Sequence, residues 1–357
     1  MNSTTKNCLK KTLYFSLIWS SLSCNNQKND LENLYGFSTT EKLKSEILEN
    51  GSNAINKATN LYLFNSSLFI GDRDLEYHFK VIDINEDRLI SRFAKEGEGP
   101  CEVTFPVRLN WLDSDQGQIS LYDRQRFKIH TYLLDDILNK ENPPCLSISD
   151  YMDSNFQLVA QVNSSNFVGT GLFEGRYATQ KSGTNEAMES TIGFPKNENE
   201  QNINYQTLAM AYQGKLLKHP HQNKFVSTTL FAFSFDILTM NESNELKLIN
   251  QIHHWAPDFQ GTTGNVISAV MKEGNKFGCL DVAVSESFIY ILFSGKSNTL
   301  EDSRESELVM VYDWDGKPKK IISLDKPISK LAVDITDDIL VGFVDSADPQ
   351  LLKFSLN

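Results

Sequence analysis

Two dipeptides raise the first chemical question. Asp72-Arg73 and Asp123-Arg124 close two similar stretches, SLFIGDR and QISLYDR, and Arg108 and Arg126 lie near the second. A guanidinium is always charged and offers a planar fork of donors, so several at one opening make a site for a carboxylate or phosphate. The chain carries a net charge of −12, which makes a local gathering of cations more telling than it would be in a basic protein. Arg73, Arg108, Arg124 and Arg126 are therefore the candidate ligand-binding residues. Their competing role is local, with each Asp closing a turn and each Arg pairing with an acid of a neighbouring unit.

Other fragments do not complete a chemistry. Gly295-Lys296-Ser297 ends like a phosphate-binding loop, but Tyr290 stands where the first glycine belongs and no helix follows. Asp113-Ser114-Asp115-Gln116-Gly117 begins like a calcium loop, yet its twelfth position is Arg124 in place of a bidentate Glu. Asp83-Ile84-Asn85-Glu86-Asp87 lacks the glycine and the final Glu of such a loop, and reads as a turn. Asp313-Trp314-Asp315-Gly316 reads as a hairpin turn. His219-Pro220-His221 and His253-His254 are the clustered imidazoles; with no third ligand at metal spacing they are expected to be surface histidines. No G-x-S-x-G elbow presents a serine nucleophile. No catalytic residue, metal site or cofactor is assigned.

The elements that must position the arginines are short strands. Phe127, Ile129, Thr131 and Leu133 alternate with Lys128, His130 and Tyr132; Leu280, Val282 and Val284 do the same, as do Leu331, Val333 and Ile335. Period-two alternation bounded by turn residues marks half-buried strands. Amphipathic helical windows are few, with Glu41–Glu49 and Asn265–Met271 the best. The fold class is all-β.

The strands recur. Ser67–Arg73, Gln118–Arg124, Asn166–Leu172, Lys224–Leu230, Ser287–Ser294 and Asp338–Ser346 each look like the second strand of a four-stranded unit, with starts 51, 48, 58, 63 and 51 residues apart. Units of roughly 40–50 residues with four strands are propeller blades. The expectation is a six-bladed β-propeller of four-stranded antiparallel blades, with insertions around blades three and four. The last unit ends after its third strand, Gln350–Leu356, so Lys42–Leu48 is expected to supply the fourth and close the ring. The alternative makes Glu41–Glu49 a helix.

The amino terminus reads as an address. Lys6, Lys10 and Lys11 precede ten apolar residues, Leu13–Leu22, too few for the ~20 that a spanning helix needs. Ser21-Leu22-Ser23-Cys24 is similar to a bacterial lipobox, with Ser21 where Leu is usual. Cys24 is then the lipid attachment site; the alternative is ordinary cleavage near Ser23. The division is 1–23 signal peptide, 24–38 polar tether and 39–357 propeller. No later stretch is long and apolar enough to span a bilayer. Of the five cysteines, Cys101, Cys145 and Cys279 remain in the mature chain, and an odd number leaves at least one thiol free. They are expected to be small buried hydrophobes.

Two stretches carry a family resemblance. Phe93–Pro106 (FAKEGEGPCEVTFP) is similar to the G-x-G-P-x-E-F…P joint between blades of NHL-type propellers, with Cys101 and Val103 in place of the usual Gly and Phe. Val311–Pro318, Leu324–Ile328 and Ala332-Val333-Asp334 resemble the closing blades of the TolB-like six-bladed propeller family. The resemblance implies a membrane-anchored lipoprotein of the bacterial cell envelope, facing the periplasm or cell surface, and lends no agreed activity. Fold, anchor and the failure of catalytic motifs point to a tethered, monomeric binding or scaffold module for a protein, peptide or glycan. Acidic charge argues against nucleic acid. The alternative is a propeller enzyme, a lactonase-like hydrolase or lyase with a channel metal held by scattered Asp, Glu and Asn. A third possibility is a subunit of a larger envelope assembly.

Overall fold

A computed structural model describes residues 35–356, except 75, 105–106, 114–116, 141, 150, 196–202 and 262–267. Two short strands come first, β1 (Thr40–Leu43) and β2 (Glu46–Leu48). Blade one follows as β3 (Ala58–Phe64), β4 (Ser67–Asp72), β5 (Tyr77–Asp83) and β6 (Arg88–Lys95). Blade two is β7 (Val107–Asp113), β8 (Gln118–Asp123), β9 (Lys128–Leu133) and β10 (Ser147–Ile148). Blade three is β11 (Phe156–Asn163), β12 (Asn166–Gly171), β13 (Ala178–Lys181) and β14 (Met188–Glu189). Blade four is β15 (Leu216–Lys218), β16 (Lys224–Thr228), β17 (Ser234–Met240) and β18 (Leu246–His253). A hairpin, β19 (Phe259–Gly261) and β20 (Ala269–Met271), separates it from blade five, β21 (Cys279–Val284), β22 (Phe288–Phe293), β23 (Ser306–Asp313) and β24 (Pro318–Ile328). Blade six is β25 (Lys330–Val333), β26 (Ile339–Val344) and β27 (Gln350–Ser355). All six second strands fall where the repeat placed them.

Ring closure divides the N-terminal segment in two. Glu46–Leu48 pairs antiparallel with Lys353–Leu351 and completes blade six, while Thr40–Leu43 pairs parallel with Ile321–Leu324 and adds a fifth strand to blade five. The Ser45 amide donates to the Asp325 carboxylate at the switch between them. After β2 comes one short helical turn over Glu49–Asn53, and strands occupy Thr40–Leu43 and Glu46–Leu48, so Glu41–Glu49 is not a helix. The second helical window also fails, because Ala269–Met271 is strand β20.

Blades stack face to face, which is why second and third strands read as nearly continuous apolar runs. Phe69, Phe79 and Phe93 of blade one meet Leu109, Ile119 and Tyr132 of blade two in one cluster. Leu61, Leu68 and Ile82 meet Val341, Phe343 and Leu351 of blade six in another, which closes the circle. Each such buried side chain contributes about 1.5–3 kcal/mol of burial free energy. Outer strands are wetter, with β18 exposing most of its residues. Among the described residues no helix is long and apolar enough to cross a membrane.

The joint between blades one and two follows the sequence closely. Gly97 sits at φ +151°, and a Cβ there would lie 2.1 Å from the Glu102 carboxylate. That carboxylate accepts from the Gly99 amide at 2.8 Å, and Val103 is fully buried. Cys101 stands at φ +65°, the left-handed conformation that favours the glycine usual there. It forms a disulfide with Cys145. This overturns the expectation that both are unpaired buried hydrophobes; among the described residues only Cys279 is a free, buried thiol.

Candidate functional site

Strand polarity brings the start of each first strand and the end of each second strand to one mouth of the ring. At that mouth the two aspartates act as bolts. Asp72 accepts from the Asn56 and Lys57 amides at 3.1 and 2.7 Å and receives the buried Lys80 ammonium at 2.7 Å. Asp123 accepts from the Thr104 amide at 2.9 Å and from the Arg126 amide at 3.0 Å. Each therefore ties down the segment entering its own blade, and this local half of the competing reading holds.

The four arginines divide. Arg126 donates to the Glu102 and Glu98 carbonyl oxygens at 2.6 and 2.9 Å, so it clasps the blade joint. Arg73 lies exposed at the rim of blade one, in the turn equivalent to that of Arg124. Arg108 and Arg124 come together in the wall of a cleft of ≈ 110 Å³ at the channel mouth, and Arg176 joins them from the corresponding turn of blade three. No described residue lining this cleft is acidic. Burial lowers the Arg108 pKa below its ordinary value and the Arg124 charge pushes the same way, against Tyr62 and Asp281. The accessible surface of Arg108 opens onto the cleft and the narrow space beneath it.

Below the cleft, Lys215 pairs with Asp281, whose other oxygen accepts from the Leu331 amide at 3.0 Å. Burial lowers the Lys215 pKa; Lys330 and Arg108 add to this and Asp281 opposes it. Neither Arg108 nor Arg124 forms an ion pair with a described acid, whereas Arg176 meets Asp236 at 2.9 Å. Arg176 also donates to Thr229 Oγ1 at 3.1 Å and lies over the rings of Tyr177 and Tyr212.

Insertions complete the cleft. The stretch between blades three and four contributes Phe194, the short helix Tyr205–Ala211, Tyr212, Gln213 and Gly214. The hairpin after blade four packs beneath it, through Phe259, Ala269 and Met271. Gly214 is required where it stands, since a Cβ would fall 1.9 Å from the Thr228 carbonyl oxygen. Gln157 and Thr170 come from the inner strands of blade three.

Asp236 also binds Tyr177 Oη at 2.6 Å and His253 Nε2 at 3.2 Å, while His253 Nδ1 meets Ser234 Oγ. Burial alone would raise the Asp236 carboxyl, but Arg176, His253 and Tyr177 together hold it below the usual carboxylate range. A Ser-His-Asp relay acts as a nucleophile only if the hydroxyl reaches substrate. Ser234 is 1% exposed, and none of the three residues lines the cleft. The network holds Arg176 in place.

Of the clustered histidines, His221, His253 and His254 are exposed as expected, while His219 is buried. His219 is 3% exposed, packs on Trp314 and accepts from the His221 and Gln222 amides through Nδ1. His253 serves the Asp236 network and His254 stacks on Phe233. Among the described residues no three His, Cys, Asp or Glu side chains converge as a metal site. Cys24 lies outside the described residues.

Sequence reasoning missed Arg176, Lys215, Gln157, Thr170 and Gln213. Blade three offers no Asp-Arg pair, because Gly171-Leu172 stands at that strand end. Position within the repeat was the one available signal for Arg176.

Six stacked antiparallel blades around a channel define a six-bladed β-propeller. The chain matches the family TolB-like 6-blade propeller-like over residues 36–336 and belongs to it. No curated protein matches. Among solved structures it is similar to a member of the DUF4221 family from Bacteroides vulgatus, at 10% identity and TM-score 0.53, covering 89% of this chain and 96% of that one. The β-propeller domain of Cps50 (Swd1) from Myceliophteria thermophila matches at 10% identity and TM-score 0.46, over 85% and 98%. Raptor from Chaetomium thermophilum matches at 12% identity and TM-score 0.48, over 85% of this chain and 28% of that one.

Proposed function

We propose that this protein is a lipid-anchored, extracytoplasmic propeller that binds an anionic ligand at the channel mouth. The observation that carries the reading is the meeting of Arg108 and Arg124 in a cleft whose described lining holds no acid. Guanidiniums without a protein counter-ion bind carboxylate or phosphate through charge-assisted hydrogen bonds of about 1.5–3 kcal/mol each. The Cys101–Cys145 disulfide supports an oxidising compartment, since such bonds are rare in the cytosol. The basic start, short apolar run and Cys24 support export and anchoring.

Two measurements test it. Arg124→Ala should weaken binding of small carboxylates or phosphate at least about tenfold with an unchanged melting temperature, because Arg124 holds no described acid. Arg126→Ala, the control, should lower the melting temperature through loss of its two carbonyl bonds. An Arg124 variant that binds like the parent contradicts the site. Cys24→Ala should move the protein from the membrane to the soluble fraction, and unchanged membrane association contradicts the anchor.

A further inference from the structure

Charge is only one property of the cleft. Gln157, Thr170 and Gln213 also line it, and none of their side chains bonds to a described residue. Their amides and hydroxyl both donate and accept, whereas the two guanidiniums only donate. Part of the wall is apolar, made by Phe194, Ala209 and Tyr212, with the two rings 5.7 Å apart and tilted. A space of ≈ 110 Å³ holds about four waters at ~30 Å³ each, so it encloses part of a ligand and leaves the rest at the open mouth.

These features select among anions. A bare phosphate or short carboxylate would satisfy the arginines and leave the amides, the hydroxyl and the rings unused. An acyl chain would cover the amides with hydrocarbon, at the cost of burying polar groups unpaired. An amine or zwitterion would find no acid among the described lining residues to meet it. A hydroxylated ring that bears one carboxylate and presents one C–H face uses every wall.

We infer that the cleft binds an acidic sugar residue of the uronate class. Its carboxylate lies on Arg108 and Arg124, its hydroxyls on Gln157, Thr170 and Gln213, and its apolar face on Phe194 and Tyr212. The inference rests on the anion-site reading above and adds the ligand's class. A free monosaccharide and the end of a longer acidic glycan share this chemistry.

Calorimetry on the purified full-length chain decides. The probes are glucuronate, galacturonate, a trimer of galacturonate, glucose, hexanoate and inorganic phosphate. A uronate should bind at least tenfold more tightly than glucose, hexanoate or phosphate, and the trimer tells a glycan end from a free sugar. Gln213→Ala should weaken uronate binding about fivefold, the worth of one net hydrogen bond of ~1 kcal/mol, and leave phosphate binding unchanged. Arg124→Ala should weaken uronate and phosphate alike, with melting curves confirming that both variants fold. Hexanoate or phosphate binding as tightly as uronate, with no effect of Gln213→Ala, overturns the sugar class and leaves the anion site standing. Glucose binding as tightly as glucuronate, or no anion binding at all, overturns both.

Discussion

Arg124 and Arg126 share one turn of blade two, yet their surroundings give them different work. The Arg126 guanidinium is spent on two carbonyl oxygens of the joint, while that of Arg124 faces the cleft. Chemical type is identical; the available partners differ. A similar lesson comes from His130, which alternation placed on the less apolar face of its strand. It is 1% exposed, and neither ring nitrogen finds a hydrogen-bond partner. Burial pushes its pKa down to about 4; Arg126 and Lys128 add to this, and Asp123 opposes it. The folded value lies below the ordinary ~6.5, so the unfolded chain takes up the proton first. Stability from the neutral ring is complete above about pH 6.5 and is lost as pH falls towards 4, a cost on the order of 3 kcal/mol. His219, also driven down to about 4 chiefly by burial, acts in the same sense. Denaturant unfolding of His130→Leu should therefore show a shallower fall in stability between pH 6.5 and 4.5 than the parent. Equal slopes would remove His130 from the account.

Among elements, the joints and insertions do most to shape the site. The joint of residues 96–104 is held from several directions, by the Glu102 carboxylate, by Arg126, by Tyr132 Oη on the Cys101 carbonyl at 3.1 Å, and by the disulfide. Cys145 lies just before β10, so the disulfide ties the two-residue outer strand of blade two to the joint. Closing a loop of 44 residues stabilises by about 4 kcal/mol in the chain-entropy account. The double variant Cys101→Ser, Cys145→Ser should lose roughly 2–4 kcal/mol. Thiol titration of the denatured, unreduced chain from residue 25 onward should count Cys279 alone, and all three cysteines after reduction. Three thiols before reduction would contradict the pairing. The insertion after blade three matters differently, because it builds a wall of the cleft that no blade strand supplies.

At the scale of the whole molecule, stability depends on closing the circle. β27 lies between β26 and β2, and Leu351, Leu352 and Phe354 are fully buried. Removing Gln350–Asn357 deletes that strand, strands Glu46–Leu48 without a partner and opens the interface between blades five, six and one. Such a chain should show no cooperative thermal transition, as followed by circular dichroism. A truncated protein that melts like the parent would show that closure is dispensable.

Strand content, blade number and the closing role of the N-terminal segment were legible in the sequence, because alternation, turn chemistry and tandem spacing are local and repeat. Gly97, Gly99 and Pro100 announced the joint for the same reason, and Asp313–Gly316 its hairpin, where Gly316 sits at φ +82°. Convergence was not legible. Arg108, Arg124, Arg176 and Gln213 come from blades two and three and an insertion, and their meeting depends on ring curvature and loop path. Cys101 and Cys145 look like two unrelated small residues until the fold brings their Cα atoms to 5.4 Å. The split of residues 40–48 between two blades likewise follows from which edges the closed ring leaves open. A pattern along the chain records which face of a strand is buried; only packing in three dimensions sets which distant side chains that burial brings together.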